Sequence, residues 1–167
     1  MEERLVKVGI THGDINGIGY EVILKTLSDT RIAELCTPVI YGSSKIAAYH
    51  RKVLELPAVN LSIIAQAEDA GANRVNIINC VDDETKVELC QSTTAAGEAA
   101  YLALEAAVTD LKRGAVDVLV TAPINKHNIQ NDQFHFPGHT EYLEEVFGVS
   151  GKKALMILMS NNLRVAL

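Results

Sequence analysis

Short apolar runs alternate with longer amphipathic stretches along the chain. The apolar runs are rich in valine, leucine and isoleucine, as buried strands are, and lie at residues 5–10, 38–41, 59–65, 75–79, 118–120 and 153–159. Stretches with helical patterning or capping residues separate most of them, at residues 20–27, 29–35, 45–54, 95–113 and 141–147. Because strands that alternate with helices form a mostly parallel sheet flanked by helices, the pattern predicts the α/β fold class.

A further apolar run, residues 163–167, follows a turn at Asn161 and Asn162. No closing helix or cap comes after it. Since elements normally end in turn or cap signals, we expect the sheet to be incomplete at the C-terminus and the chain to be part of a larger protein.

The central feature is the run 118–120, which we expect to be a fully buried strand, and the polar segment after it. Pro123 lacks a backbone donor and ends the strand. The polar side chains that follow are Asn125, Lys126, His127, Asn128, Asn131, Asp132, His135, His139, Thr140 and Glu141. Ligands of open α/β sheets bind at the carboxyl ends of strands, so we predict a functional site here. A solvated surface loop is the alternative.

A glycine-rich turn, residues 11–19, follows the first predicted strand. Its glycines fit neither the GxGxxG nor the Walker spacing. One interpretation is that the turn and the next helix receive an anion, with Asp14 as a candidate contact to substrate or phosphate. The other is that the glycines only permit a tight turn. The sequence leaves both open.

His139 and Thr140 stand at the start of the predicted helix 141–147. An imidazole can accept or donate a hydrogen bond near neutral pH, and helix N-terminal amides favour an anionic group such as a phosphate. Lys126 is a candidate charge for phosphate or carboxylate, and Asn125 a candidate positioning donor. The alternatives are that Thr140 caps the helix while His139 packs, and that Lys126 is merely exposed.

Composition excludes several classes of function. A net charge of −6 argues against a nucleic-acid groove, which needs clustered lysine and arginine. No apolar run is long enough to span a bilayer, and the first residues lack a signal-peptide core. Cys36, Cys80 and Cys90 show no metal-type spacing, and their odd number fits a reducing compartment. We therefore expect a cytoplasmic protein with no nucleic-acid or membrane partner.

Three motifs, in this order, carry a resemblance. They are Val-Gly-Ile-Thr-His-Gly-Asp-Ile-Asn-Gly-Ile-Gly, Leu-Val-Thr-Ala-Pro-Ile-Asn-Lys and Phe-Pro-Gly-His-Thr-Glu. The set resembles the 4-hydroxythreonine-4-phosphate dehydrogenase family of pyridoxal phosphate biosynthesis. The resemblance implies an isocitrate/isopropylmalate-dehydrogenase-like α/β fold and a homodimer with its active site at the subunit interface. It also implies oxidation of 4-phosphooxy-threonine with NAD or NADP, followed by decarboxylation to 3-amino-2-oxopropyl phosphate.

By this resemblance His139 and Thr140 match the family's substrate-binding pair, and no residue of the chain is assigned a catalytic role. The family's divalent metal (Zn, Mg or Co) is held by three histidines that lie beyond residue 167. The resemblance therefore implies that residues 1–167 are the N-terminal portion of a larger two-domain dehydrogenase. It also implies that this portion holds no metal ligand and is inactive alone.

The first turn departs from the family's usual motif. His12, Asp14, Ile15, Asn16 and Tyr20 stand where the family usually has Pro, Glu, Pro, Ala and Pro. Relatives with these motifs also oxidise four-carbon sugar-acid phosphates such as threonate or erythronate 4-phosphate, which lack the amine. A phosphate-binding transferase and a non-catalytic module that binds phosphorylated ligands are the hypotheses from other classes.

Overall fold

A five-stranded parallel sheet forms the centre of the molecule in the computed structural model, which describes residues 4–149 and 152–167. Its strands are β1 (Lys7–Thr11), β2 (Thr37–Gly42), β3 (Leu61–Ile64), β4 (Val75–Asn79) and β5 (Val118–Thr121). They lie in the order β3-β4-β2-β1-β5, and every neighbouring pair is parallel. The predicted α/β class with a mostly parallel sheet is confirmed.

Helices cover both faces of this sheet. They are α1 (Gly19–Leu27), α2 (Arg31–Leu35), α3 (Ser44–Val53), α4 (Thr94–Lys112) and α5 (His139–Phe147). Ile40 of β2 packs in one core cluster with residues of α1 and α3, whereas its neighbours Val39 and Tyr41 pack with alanines of α4. Since successive side chains of a strand point to opposite faces, α1 and α3 lie on one face and α4 on the other.

Local capping explains where two of the helices begin. The Ser43 hydroxyl accepts a hydrogen bond from the Ile46 amide before α3, and the Thr93 hydroxyl accepts one from the Ala96 amide before α4. Gly114, with a φ of 74°, follows the end of α4 in the left-handed conformation that favours glycine. The predicted helices are confirmed, with ends that differ by one or two residues.

The expectation that residues 118–120 are fully buried is wrong. They do form a strand, β5, but Val118 and Val120 are 44% and 52% exposed. The reason is the strand order, because β5 lies at an edge of the sheet and pairs only with β1. Leu119 alone of the three points into the core clusters.

The expectation of a buried strand at residues 153–159 is also wrong. The strand there is β6 (Ile157–Ser160), which pairs with β7 (Leu163–Ala166) as a separate antiparallel hairpin. Every residue of both strands is exposed, since the hairpin packs on no core cluster of the described chain. The predicted turn at Asn161 and Asn162 joins the two strands.

None of the helices in residues 4–149 and 152–167 is long and apolar enough to cross a membrane.

Candidate functional site

The carboxyl ends of the parallel strands bring the glycine-rich turn and the segment after β5 together. The Asp14 amide donates a hydrogen bond of 2.9 Å to the Pro123 carbonyl, and the Ala122 amide donates one of 3.1 Å to the Thr11 carbonyl. Two of the three motifs that the sequence singled out therefore meet at one edge of the sheet.

Two of the three glycines of the first turn, Gly13 and Gly19, are required by close packing. A Cβ on Gly13 would lie 2.2 Å from the Pro123 carbonyl oxygen, and one on Gly19 would lie 2.0 Å from the His12 carbonyl oxygen. Gly13 also has a φ of 69°, in the region that side chains disfavour. Of the two interpretations of this turn, the tight turn accounts for both glycines.

His12 belongs to the core of the protein. Its side chain is fully buried, and its ring stacks on Tyr20 with 5.2 Å between centroids. Tyr20 stacks in turn on His50, whose Nε2 lies 2.7 Å from the Ile15 carbonyl oxygen. Burial lowers the pKa of His12 from 6.5 to about 4, so the ring is neutral at neutral pH. His50 is likewise a buried histidine of the core.

Asp14 and Asn125 both help to shape the site. The Asp14 carboxylate is half-buried and accepts a hydrogen bond of 2.9 Å from the Asn16 amide. The Asn125 side-chain oxygen accepts bonds from the His127 and Asn128 amides, which fixes the turn after Ile124. Its side-chain nitrogen donates a 3.1 Å bond to the Ser92 hydroxyl.

Ser92 is a site residue that the sequence did not indicate. It lies in the connection between β4 and α4, and 33 positions separate it from Asn125. Serine is common in such cap-rich connections, so no local signal distinguishes this one from its neighbours.

Lys126 lies against the start of α5. A Cβ on Gly138 would be 3.7 Å from Lys126 Cε and 3.9 Å from its Nζ. Gly138 is the N-cap residue of α5 and supplies no side-chain cap, so Thr140 is not the cap of this helix. The helix therefore begins with uncapped backbone amides next to a lysine, which is an arrangement that suits an anion.

His139 opens α5 and is half-buried, whereas Thr140 is exposed. His139 Nε2 is buried and makes no hydrogen bond among the described residues. Burial lowers the pKa of His139, so the neutral ring predominates at neutral pH and keeps a nitrogen free to accept or donate. His127 and His135 are exposed and peripheral, as expected.

One cavity of the described chain lies away from this edge of the sheet. It measures about 560 Å³ and is lined mainly by apolar side chains such as Leu119, Leu143 and Phe147. It faces the start of β5 and the end of α5, opposite to His139. Ligands of parallel sheets bind at the carboxyl ends of strands, so this cavity does not define the site.

Within the part of the chain that the structure describes, no three histidine, cysteine, aspartate or glutamate side chains come close enough to hold a metal ion.

Comparison with known proteins identifies the family. The family model described as "Pyridoxal phosphate biosynthetic protein PdxA" matches residues 34–167. The chain belongs to the PdxA family. This confirms the resemblance that the three motifs carried.

Relatives of this PdxA-family chain are dehydrogenases. It is 59% identical over 167 residues to the 4-hydroxythreonine-4-phosphate dehydrogenase of Bacteroides thetaiotaomicron, and the match covers 100% of this chain and 45% of that protein. It is 29% identical to a Clostridium botulinum protein provisionally named D-threonate 4-phosphate dehydrogenase, covering 95% of this chain and 51% of that protein. The chain thus spans about half the length of the curated relatives it matches.

A solved structure shares the fold. The crystal structure of a 4-hydroxythreonine-4-phosphate dehydrogenase from Burkholderia phymatum superposes with a TM-score of 0.84 at 29% identity. The match covers 98% of this chain and 49% of that one. The roles of His139, Thr140, Asp14, Asn125 and Lys126 in substrate binding stay predictions.

Proposed function

We propose that this chain is the N-terminal portion of a two-domain, NAD(P)- and divalent-metal-dependent 4-hydroxythreonine-4-phosphate dehydrogenase. The enzyme would oxidise 4-phosphooxy-threonine and decarboxylate the product to 3-amino-2-oxopropyl phosphate in pyridoxine 5'-phosphate biosynthesis. The observation that carries the proposal is the start of α5, where Lys126, uncapped amides and a half-buried imidazole meet. Membership of the PdxA family supports the same reaction.

Lys126 and the first amides of α5 would receive an anionic group of the substrate, its phosphate or its carboxylate. A helix start carries a partial positive charge, and a lysine beside it adds a full one. The N-cap residue of α5 is Gly138, which has no side chain to accept a hydrogen bond from these amides. A bound anion would therefore satisfy donors that the fold leaves open.

His139 and Thr140 would hold the substrate by hydrogen bonds. The neutral imidazole of His139 can accept a bond from a substrate hydroxyl or donate one to an oxygen, and the exposed Thr140 hydroxyl can do either. Fixing the substrate so that its C3 hydrogen faces the nicotinamide lowers the entropic part of the barrier. Asp14 and Asn125 would border the same site.

The cofactors enter from outside the described residues. NAD or NADP would supply the hydride acceptor, and a divalent Zn, Mg or Co ion would make the substrate hydroxyl more acidic. By the family resemblance, the ligands of such an ion are expected in sequence beyond this chain. We also propose a cytoplasmic homodimer with the active site at the subunit interface, and expect residues 1–167 to be inactive alone.

The second candidate substrate is a four-carbon sugar-acid phosphate, threonate or erythronate 4-phosphate. The 29% identity to the Clostridium botulinum relative supports it. The two substrate types differ in the amine, so parallel assays with each phospho-acid separate them.

The test is a steady-state assay on the full-length protein that contains this chain. We expect reduction of NAD or NADP with 4-phosphooxy-threonine, loss of turnover with a chelator, and a fall in kcat/KM on the order of 100-fold for His139→Ala. His127→Ala replaces an exposed histidine of the same segment and serves as the matched control. Normal turnover by His139→Ala would reject its assigned role. Tight binding of a phosphorylated ligand without nicotinamide binding would instead favour a transferase or a non-catalytic module.

A further inference from the structure

We propose that Asn16 is a positioning residue of the candidate site, which holds segment 88–93 so that the Ser92 hydroxyl meets Asn125. Asn16 lies in the glycine-rich turn, and neither the resemblance nor the family assigns it a role. The functional consequence of this inference rests on the proposed dehydrogenase activity.

The side chain of Asn16 is 3% exposed and makes three hydrogen bonds, all to one segment. Its Oδ1 accepts a 2.7 Å bond from the Glu88 amide, and its Nδ2 donates to the Gln91 carbonyl at 2.9 Å and the Thr93 hydroxyl at 3.0 Å. Its main-chain carbonyl accepts a 3.0 Å bond from the Cys90 amide. A single residue thus contacts four of the six positions in segment 88–93.

The segment needs an external support. It belongs to the irregular connection between β4 and α4, where no strand or helix fixes the backbone. Cys90 has a φ of 63°, a left-handed conformation that a non-glycine residue keeps only where its surroundings hold it. The bond from its amide to Asn16 is such a support.

The connection to the site runs through Ser92. Asn16 Nδ2 holds the residues on both sides of it, Gln91 and Thr93. The Ser92 hydroxyl accepts the 3.1 Å bond from Asn125 Nδ2, and Asn125 precedes Lys126. Movement of the segment would therefore remove the partner of the Asn125 amide, which is a predicted substrate contact. Ser92 itself becomes a polar group at the edge of the site.

Asn16 also faces the other side of the site. Its own amide donates a 2.9 Å bond to the Asp14 carboxylate, and the Asp14 amide is bonded to Pro123. Asn16 thus bonds directly to Asp14 and to the two neighbours of Ser92, Gln91 and Thr93. The competing explanation is that Asn16 only completes the cap of α4 at Thr93, in which case Ser92 and Asn125 would not respond to its loss.

An alanine cannot form these side-chain bonds, and the related motif usually has alanine here, so the turn backbone tolerates Asn16→Ala. In the full-length protein we expect this variant to lose hydrogen-exchange protection at the Glu88 amide, whose acceptor is Asn16 Oδ1, while the amides of β4 stay protected. Asn16→Asp keeps the acceptor for Glu88 but loses both Nδ2 donors, so it should release Ser92 and retain the Glu88 bond. Asn60→Ala, at an exposed asparagine, is the matched control.

The decisive measurement is a double-mutant cycle. We expect Asn16→Ala and Ser92→Ala each to shift the side-chain amide resonance of Asn125. Each should also raise KM for 4-phosphooxy-threonine about fivefold, with little change in kcat. The double variant should match the larger single effect, since both remove one coupled contact. Additive effects, or an unchanged Asn125 resonance in Asn16→Ala and Asn16→Asp, would overturn the proposal. The resonance and exchange measurements need no turnover, so an inactive protein would reject the proposed function while still testing this coupling.

Discussion

Two glycines at the same edge of the sheet differ in what surrounds them. Gly13, in the first turn, has a φ of 69°, and a Cβ there would lie 2.2 Å from the Pro123 carbonyl oxygen. Gly138, before α5, has an extended backbone, and the atom nearest to a Cβ there is Glu141 Oε2 at 3.6 Å. Both residues belong to motifs that carry the family resemblance. The space beside Gly13 is occupied by backbone atoms, whereas the space beside Gly138 can hold a methyl group.

This difference teaches what marks a site in this protein. The first turn is rich in polar residues, but His12 lies in an aromatic stack and Asn16 spends its side chain on internal bonds. At the start of α5, His139 Nε2 and the helix amides keep free bonding capacity. Missing partners alone do not mark a site, because both ring nitrogens of His12 are also buried without a hydrogen bond. What distinguishes the start of α5 is that an unbonded imidazole lies beside uncapped helix amides and Lys126.

The largest expected effect is a difference in stability between alanine variants of the two glycines. Gly13→Ala should lower the free energy of unfolding by roughly 3 kcal/mol or more, because a clash with backbone adds to an unfavourable φ. Gly138→Ala should change it by less than about 0.5 kcal/mol, since its backbone suits any residue. Urea denaturation of both variants measures the difference. Equal stabilities would mean that the first turn can relax and that its packing does not require glycine.

The next effect concerns the buried imidazole of the first turn. The pKa of His12 falls from 6.5 in the unfolded chain to about 4 in the fold because burial disfavours its charge. Between these values the unfolded chain binds the proton and the folded protein does not. The free energy of unfolding is therefore unaffected by the titration of His12 above about pH 6.5. It falls as the pH drops to about 4, by a total on the order of 3 kcal/mol.

His12→Phe tests this effect, because it keeps a ring against Tyr20 and removes the titrating group. Thermal unfolding of the parent and the variant between about pH 7 and about pH 4.5 should show a smaller loss of stability in the variant. His127→Phe, at an exposed histidine, is the control. A variant as acid-sensitive as the parent would place the titrating group elsewhere, for which His50, whose pKa burial also lowers, is the next residue to change.

Much of the fold could be predicted because its signals are local. Strands such as residues 75–79 follow from a short β-branched run, and Ser43 and Thr93 are caps that can be read beside the helices they start. Burial of residues 118–120 could not be predicted, since a central and an edge strand share the same apolar run and only the strand order distinguishes them. The exposure of the hairpin at residues 157–166 could not be predicted for the same reason, because an apolar run does not show which strands it pairs with.

The candidate site could be predicted only where its residues are neighbours in sequence or share a motif. Lys126 and His139 were found because each lies in a motif after β5, and the structure places Lys126 at the start of the helix that His139 opens. Ser92 was missed because its bond to Asn125 spans 33 positions, and Asn16 because its bond to Glu88 spans 72. Contacts between distant segments depend on the packing of loops, which no local pattern encodes.

The smallest expected effect sharpens the comparison at Lys126. A positive side chain near the positive end of a helix is unfavourable by a few tenths of a kcal/mol when no anion is bound. Lys126→Met should therefore leave stability unchanged or raise it slightly, and should weaken the affinity for inorganic phosphate by about 1 kcal/mol, or about fivefold in Kd. Lys153→Met, at an exposed lysine outside the helices, should change neither quantity.

The opposite signs of the two effects at Lys126 are what make this test informative. If Lys126 stabilises the fold, its replacement should lower the free energy of unfolding. If Lys126 binds an anion, its replacement should weaken phosphate affinity without lowering the free energy of unfolding. Calorimetric titration with phosphate and urea denaturation of the same samples measure both. Unchanged phosphate affinity in Lys126→Met would show that this side chain is not part of the anion site.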